Sequence, residues 1–174
     1  KQINKISRKI ISSSKELQIG ILGGGAAGVE TATALNFRVF QNCSKSHDFT
    51  IFTSGKDILT GHSKKARRLY NQKLSQLKIR KKVLFNGVQI KAKKILSANG
   101  QAYPCDYLFS AIGAEPPSWL KNNALKKNES GFILVNKKLQ SVSHGNIFAA
   151  GDVCEIEKNK RPKSGVFAVR QGKV

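Results

Sequence analysis

The chain has 174 residues, with 31 Lys or Arg against 10 Asp or Glu and a net charge of +21, a length that holds one domain or one domain and part of another. No stretch approaches the roughly 18 consecutive apolar residues that mark a membrane-crossing helix. Cys43, Cys105 and Cys154 lie far apart with no C-x-x-C, which excludes a redox dithiol and a zinc knuckle and leaves free thiols in a cytoplasmic protein as the expectation.

Lys1 to Ser14 is basic and Ser-rich, too polar for the apolar core of a signal peptide. Residues 1–16 read as a connecting segment. With no Met and Lys at its first position, the chain reads as a piece of a longer protein.

Leu17 to Leu22 is a short apolar run with two Ile, the pattern of a buried parallel strand. Glycines follow at 23, 25 and 28, fitting G-x-G-x-x-G, and a helix-forming run starts at Ala26 and Ala27 and continues to about Phe40. Each glycine has a task in a dinucleotide turn. Gly23 permits the tight exit from the strand, Gly25 lets a pyrophosphate approach the backbone, and Gly28 lets the helix pack closely. The helix N–H groups and positive dipole end then face the diphosphate. A Gly-rich turn with no ligand is the plainer alternative, and the strand before and helix after favour the nucleotide site.

Asn42 to His47 is turn-like, and Phe49 to Thr53 is the next strand. Its end is where a dinucleotide fold places an Asp or Glu on the adenosine ribose. Here Thr53, Ser54 and Gly55 stand there, Lys56 follows, and Asp57 comes late. Ser54 and Lys56 accepting a 2′-phosphate and a simple exposed loop are both open. Ser63 to Ile79 has an apolar stripe of Ala66, Leu69, Tyr70, Leu74 and Leu77, an amphipathic helix.

Lys82 to Phe85 is expected as a third strand. Val88 to Ala92 then alternates, and Asn99-Gly100 signals a hairpin between Ile95–Ser97 and Gln101–Tyr103. This predicts an antiparallel β-meander inserted into a parallel βαβ domain. Asp106 to Ile112 is a further apolar strand ending at Gly113, and Pro116-Pro117 marks a break. Beyond it come a helical turn at Ser118–Leu120, a strand at Gly131–Val135, a buried strand at Asn146–Val153 ending on Gly151-Asp152, and a final helix from Gly165 to Gln171 with Ser164 as N-cap. His47, His62 and His144 show no metal spacing and are expected at the surface.

The basic residues are mostly Lys, spread along the chain, with clusters at Lys64, Lys65, Arg67 and Arg68, at Arg80–Lys82, and at Lys91, Lys93 and Lys94. No RNA-binding aromatic signature accompanies them, so nucleic acid is not an expected partner. A solvated Lys-rich surface is one reading; peripheral attachment to an anionic membrane face is the other.

The GGGAAGVE turn, the meander, Ser110-Ala111-Ile112-Gly113-Ala114-Glu115-Pro116-Pro117 and Asn146-Ile147-Phe148-Ala149-Ala150-Gly151-Asp152 stand in order. Together they resemble the two-dinucleotide flavoproteins of the pyridine nucleotide-disulphide oxidoreductase superfamily, in their type II NADH dehydrogenase-like branch. Within it, GHSKKARR and RPKSGVFAVRQGKV are similar to the flavoprotein often attached to selenide, water dikinase. The resemblance implies a Rossmann-like NAD(P)-binding domain over 17–117 and, over 118–174, the return segment of an FAD-binding domain.

It also implies roles. Asp152 would accept a ribityl hydroxyl of FAD or hold its pyrophosphate through water, or else cap a neighbouring turn. Ser164, Gly165 and Val166 would open a helix towards the flavin pyrimidine edge, or belong to an ordinary surface helix. Glu30 would lie near nicotinamide and flavin, or serve the helix dipole. Gly113 matches the glycine of a turn where backbone meets cofactor. The implied activity is FAD-dependent NAD(P)H oxidation, with a quinone as acceptor. The alternative is a non-catalytic nucleotide-binding module docked to a selenide, water dikinase partner.

Overall fold

The computed structural model describes residues 2–84, 87–161 and 163–173. The chain divides into two units, Lys1–Ile112 and Gly113–Val174.

The first unit runs α1 (Gln2–Ile11), β1 (Gln18–Leu22), α2 (Ala26–Asn42), β2 (Asp48–Thr53), α3 (Lys64–Gln76), β3 (Arg80–Val83), β4 (Val88–Lys91), β5 (Lys94–Ser97), β6 (Ala102–Pro104) and β7 (Tyr107–Ser110). Four strands form a sheet in the order β3-β2-β1-β7, all parallel, with Ile21 of β1 opposite Ile51 of β2 and Phe109 of β7. Side chains alternate across it. Ile19, Ile21, Phe49, Ile51 and Phe109 face one core with Val29, Ala32, Leu35 and Val39 of α2 and Leu74 of α3. Leu22 and Phe52 join a second core with Ile95 and Cys105. Both faces of the parallel sheet are therefore covered, which is why its strands read as apolar runs.

The second cover is the meander, β4-β5-β6, antiparallel as expected and turned at Gly100, whose φ is +82°. It lies so close that a Cβ on Gly20 would sit 2.7 Å from Cys105 Sγ. The third strand starts two residues earlier than the sequence suggests and is exposed throughout; Phe85 lies outside the described residues. Its position at the sheet edge explains its Lys and Arg, which discourage pairing with another chain.

The connecting segment expected at the start is instead largely helical. Ile10 of α1 is fully buried and packs into the same core as α2, and Asn4 Oδ1 accepts from Arg38 Nη1 at 3.0 Å. Ile6 and Ile10, one helical turn apart, give α1 its apolar side.

His47 is also not at the surface as expected. It is half-buried, its Nδ1 accepts from Leu17 N at 3.1 Å, and its Nε2 lies 3.5 Å from Cys43 Sγ. Desolvation and Lys45 lower its pKa below the usual 6.5, against the opposing effects of Glu16 and the Ile10 backbone. Protonation removes the acceptor for Leu17, so this stabilisation is present above 6.5 and is lost as pH falls through the lowered value. Melting temperature is expected to fall between about pH 7.5 and about pH 5, and His47→Gln to flatten part of that fall. An unchanged slope in the variant would assign the loss to other groups.

The second unit has β8 (Ile133–Val135) parallel to β9 (Cys154–Ile156), two 3₁₀ turns (Ser118–Leu120 and Gly151–Val153) and α4 (Gly165–Gln171). Its core gathers Leu120, Ile133, Val135, Leu139, Ala149 and Cys154. The strand expected at Asn146–Val153 does not form. The run makes instead one isolated antiparallel bridge, Phe148 opposite Gln140, flanked by bonds from Ser141 N to Ile147 O and from Ala149 N to Leu139 O, and of that run only Ala149 is buried. Gly151, at φ +75°, turns the chain before sheet pairing begins at Cys154.

Candidate dinucleotide site

The Gly-rich turn sits at the C-terminal end of β1, between β2 and β7. In open α/β sheets this edge is where ligands collect. Gly23 has φ +124° and donates to Phe52 O at 2.8 Å; a Cβ there would meet Ala111 O at 2.5 Å. Gly28 is buried, and a Cβ there would run into Gly23 O. Its task is therefore to let the helix approach the carbonyl of the turn. Gly25 is different. It caps α2 in an extended conformation, φ −77° and ψ −176°, is exposed, and a Cβ on it would meet nothing within 4 Å.

Ala26 and Ala27 open α2, which has no side-chain cap and no acidic residue in its first turn. The N–H groups of that turn are left for an external acceptor. An open approach at Gly25 and uncapped N–H groups behind it are what a pyrophosphate needs. Glu30, the fifth residue of α2, is exposed one turn further along.

Sequence reasoning missed the close approach of Gly24 to Thr53. A Cβ on Gly24 would strike the Thr53 side chain, and Gly24 O accepts from Leu59 N at 2.7 Å, tying the turn to the loop after β2. The triple glycine was the available signal. Thr53 is buried, and its Oγ1 accepts from Gly55 N at 3.2 Å.

Asp57 is committed elsewhere. Its carboxylate accepts from Ile58 N at 2.8 Å, Lys81 Nζ at 2.9 Å and Asn71 Nδ2 at 3.0 Å. Desolvation alone would raise its pKa, but Lys81 and the other donors outweigh it and hold the carboxyl below the usual 3.8. The stabilisation is present above 3.8 and is lost as pH falls through the depressed value. In Asp57→Asn the acid limb of a pH–stability curve is expected to shallow, read by urea unfolding between about pH 5 and about pH 2.5. An unaltered limb would remove Asp57 from that account.

The second unit brings Gly151, Asp152 and the start of α4 together. Gly151 N donates to Gln171 Oε1 at 2.6 Å, and a Cβ on Gly151 would come within 3.3 Å of Ala168 Cβ. Asp152 is exposed in the 3₁₀ turn and lines a small cleft with Ser164, Phe167 and Gln171. Ser164 holds the N-cap position without a side-chain cap bond, and Gly165 and Val166 are exposed at the first two helical positions. Pro162 lies outside the described residues. Gly113 is exposed with open space about its Cα. His62 is exposed and His144 half-buried; no metal-binding cluster of three or more such side chains occurs among the described residues. No helix among them is long and apolar enough to cross a membrane.

The model of the pyridine nucleotide-disulphide oxidoreductase family matches residues 4–172. The chain belongs to that family. Within it, a Dictyostelium discoideum relative described as a probable NADH dehydrogenase is 27% identical over 165 residues, 87% of this chain and 36% of that protein. The demethylphylloquinone reductase NdbB of Synechocystis is 25% identical over 163 residues, 87% of this chain and 38% of that protein. The NAD-dependent persulfide reductase of A. fulgidus has the same fold, with a TM-score of 0.71 at 23% identity over 95% of this chain and 31% of that one. This family member thus spans little more than a third of the length of the curated relatives it matches. The α/β architecture expected from the motifs, a parallel sheet with an inserted antiparallel meander, is present.

Proposed function

We propose that this chain is the NAD(P)-binding domain and the return segment of an FAD-dependent NAD(P)H oxidoreductase. The observation that carries the reading is the strand–turn–helix at Gly23–Gly28, closed by its own backbone at Gly23 and Gly28 and open at Gly25. When bound, the two cofactors supply hydride transfer from nicotinamide C4 to flavin N5.

The chain's part is position and electrostatics. Gly25 admits the pyrophosphate, and the first-turn N–H groups of α2, at Ala26 and Ala27, hold its charge. Glu30 stands towards the nicotinamide end, one turn along. In the second unit Asp152 receives a ribityl hydroxyl of FAD, and Gly113 and Gly151 keep the backbone close to the cofactor. Ser164, Gly165 and Val166 set helical N–H groups towards the flavin pyrimidine edge, where negative charge grows on reduction. No acid–base residue is required for a hydride to move.

A quinone is the acceptor we favour, supported by the demethylphylloquinone reductase among the relatives. The likeness to the flavoprotein joined to selenide, water dikinase rests on the sequence motifs alone, and an anionic-membrane partner rests on the net charge of +21. The test uses the full-length protein. It is expected to carry flavin absorbance that bleaches on anaerobic addition of NADH or NADPH. Absorbance that neither nucleotide bleaches would reject the oxidoreductase reading in favour of a binding module.

A further inference from the structure

We propose that the nucleotide taken at this turn is NADPH in preference to NADH, its 2′-phosphate met by Ser54 and Lys56; the proposal rests on the dinucleotide reading above. The adenosine ribose of a nucleotide on this turn falls at the C-terminal end of β2. A carboxylate there bonds the 2′-hydroxyl of NADH and repels a 2′-phosphate; a cation or hydroxyl does the reverse.

The residue ending β2 is Thr53, buried and bonded to Gly55 N, so the strand ends on a neutral, self-satisfied side chain. From Ser54 to Gln76 the sole carboxylate is Asp57, and three donors consume it: the backbone of Ile58, Asn71 and Lys81. Its charge is paired with Lys81, and those three bonds hold its carboxylate in place.

Ser54 and Lys56, by contrast, are exposed, and no ion pair engages Lys56 among the described residues. The loop that carries them is not free to swing. Leu59 N is bonded to Gly24 O, and Ile58 and Leu59 are buried, so the backbone of the loop carrying Ser54 and Lys56 is tied to the glycine turn. The connection then enters α3 with Lys64, Lys65, Arg67 and Arg68. The connection from β2 into α3 is thus strongly basic, a charge balance that suits a 2′-phosphate better than a free hydroxyl.

The test is direct binding to the full-length protein by calorimetry, with adenosine 2′,5′-bisphosphate and 5′-AMP, which differ only in the 2′-phosphate, alongside NADP⁺ and NAD⁺. The bisphosphate is expected to bind about tenfold or more tightly than 5′-AMP, a ratio that shrinks with added salt. Lys56→Ala should lose most of that ratio with NAD⁺ affinity unchanged, Ser54→Glu should reverse it, and Lys91→Ala, on the meander, should leave it alone. Equal affinities in the unaltered protein, or a ratio indifferent to both Lys56→Ala and Ser54→Glu, would overturn the inference while NAD⁺ binding kept the dinucleotide reading standing. Failure of all four ligands to bind would defeat that reading and this inference together.

Discussion

Gly25→Val is expected to abolish binding of both nicotinamide dinucleotides while leaving the fold intact. The φ of −77° and ψ of −176° at Gly25 are accessible to any residue, and a Cβ would meet no atom within 4 Å. A β-carbon therefore enters without strain or collision. The cost to folding is that of a poorer helix cap, about 1 kcal/mol or less. The space it fills is the approach to the uncapped N–H groups of Ala26 and Ala27, and a branched side chain there holds a pyrophosphate off the backbone. Affinity should drop by about two orders of magnitude or more. Calorimetric titration and a melting curve on the same sample check both halves. Retained binding with an unchanged melt would show that the nucleotide does not use this turn.

Gly28→Ala should do the opposite, damaging the fold. Gly28 is buried in α2, and the added methyl would enter the space of Gly23 O. Neither partner yields easily. Gly23 is pinned by its bond to Phe52 O and by the nearness of Ala111 O, and α2 is fixed by Val29, Ala32, Leu35 and Val39 in the core. Relief needs the helix to lift from the turn. A loss of roughly 2–4 kcal/mol is expected, measured by urea unfolding, with nucleotide binding falling as the turn distorts. A loss under about 1 kcal/mol would mean that the helix start is more yielding than a packed core allows.

Much of this arrangement was legible in the residues. β1, the glycines and α2 are local, each dictated by its own stretch, and Asn99-Gly100 announces the meander by turn chemistry alone. Other features depend on partners distant in sequence. α1 looks like linker because Lys5, Arg8 and Lys9 and the serines that follow make the segment read as basic and polar; the burial of Ile10 against α2 makes it part of the domain. Asn146–Val153 is apolar enough for a strand, yet its hydrogen bonds go to Leu139 and Ser141, and Phe148 points outward at 63% exposure. The importance of Gly24 depends on Thr53, and the silence of Asp57 at the site depends on Lys81 and Asn71. None of these pairings is encoded at a fixed spacing.

The position of β7 has a consequence for when the protein becomes competent. Ile19 pairs with Tyr107 and Leu22 with Ser110, and Ala111 lies against Gly23. One wall of the glycine turn is thus supplied by a strand that arrives only after the whole meander has been traversed. Helices and hairpins close over short distances, whereas this contact spans most of the first unit and bears the largest loop-closure cost. Without β7 in place that wall of the turn is missing, so the pairing of β1 with β7 is a condition for a complete glycine turn.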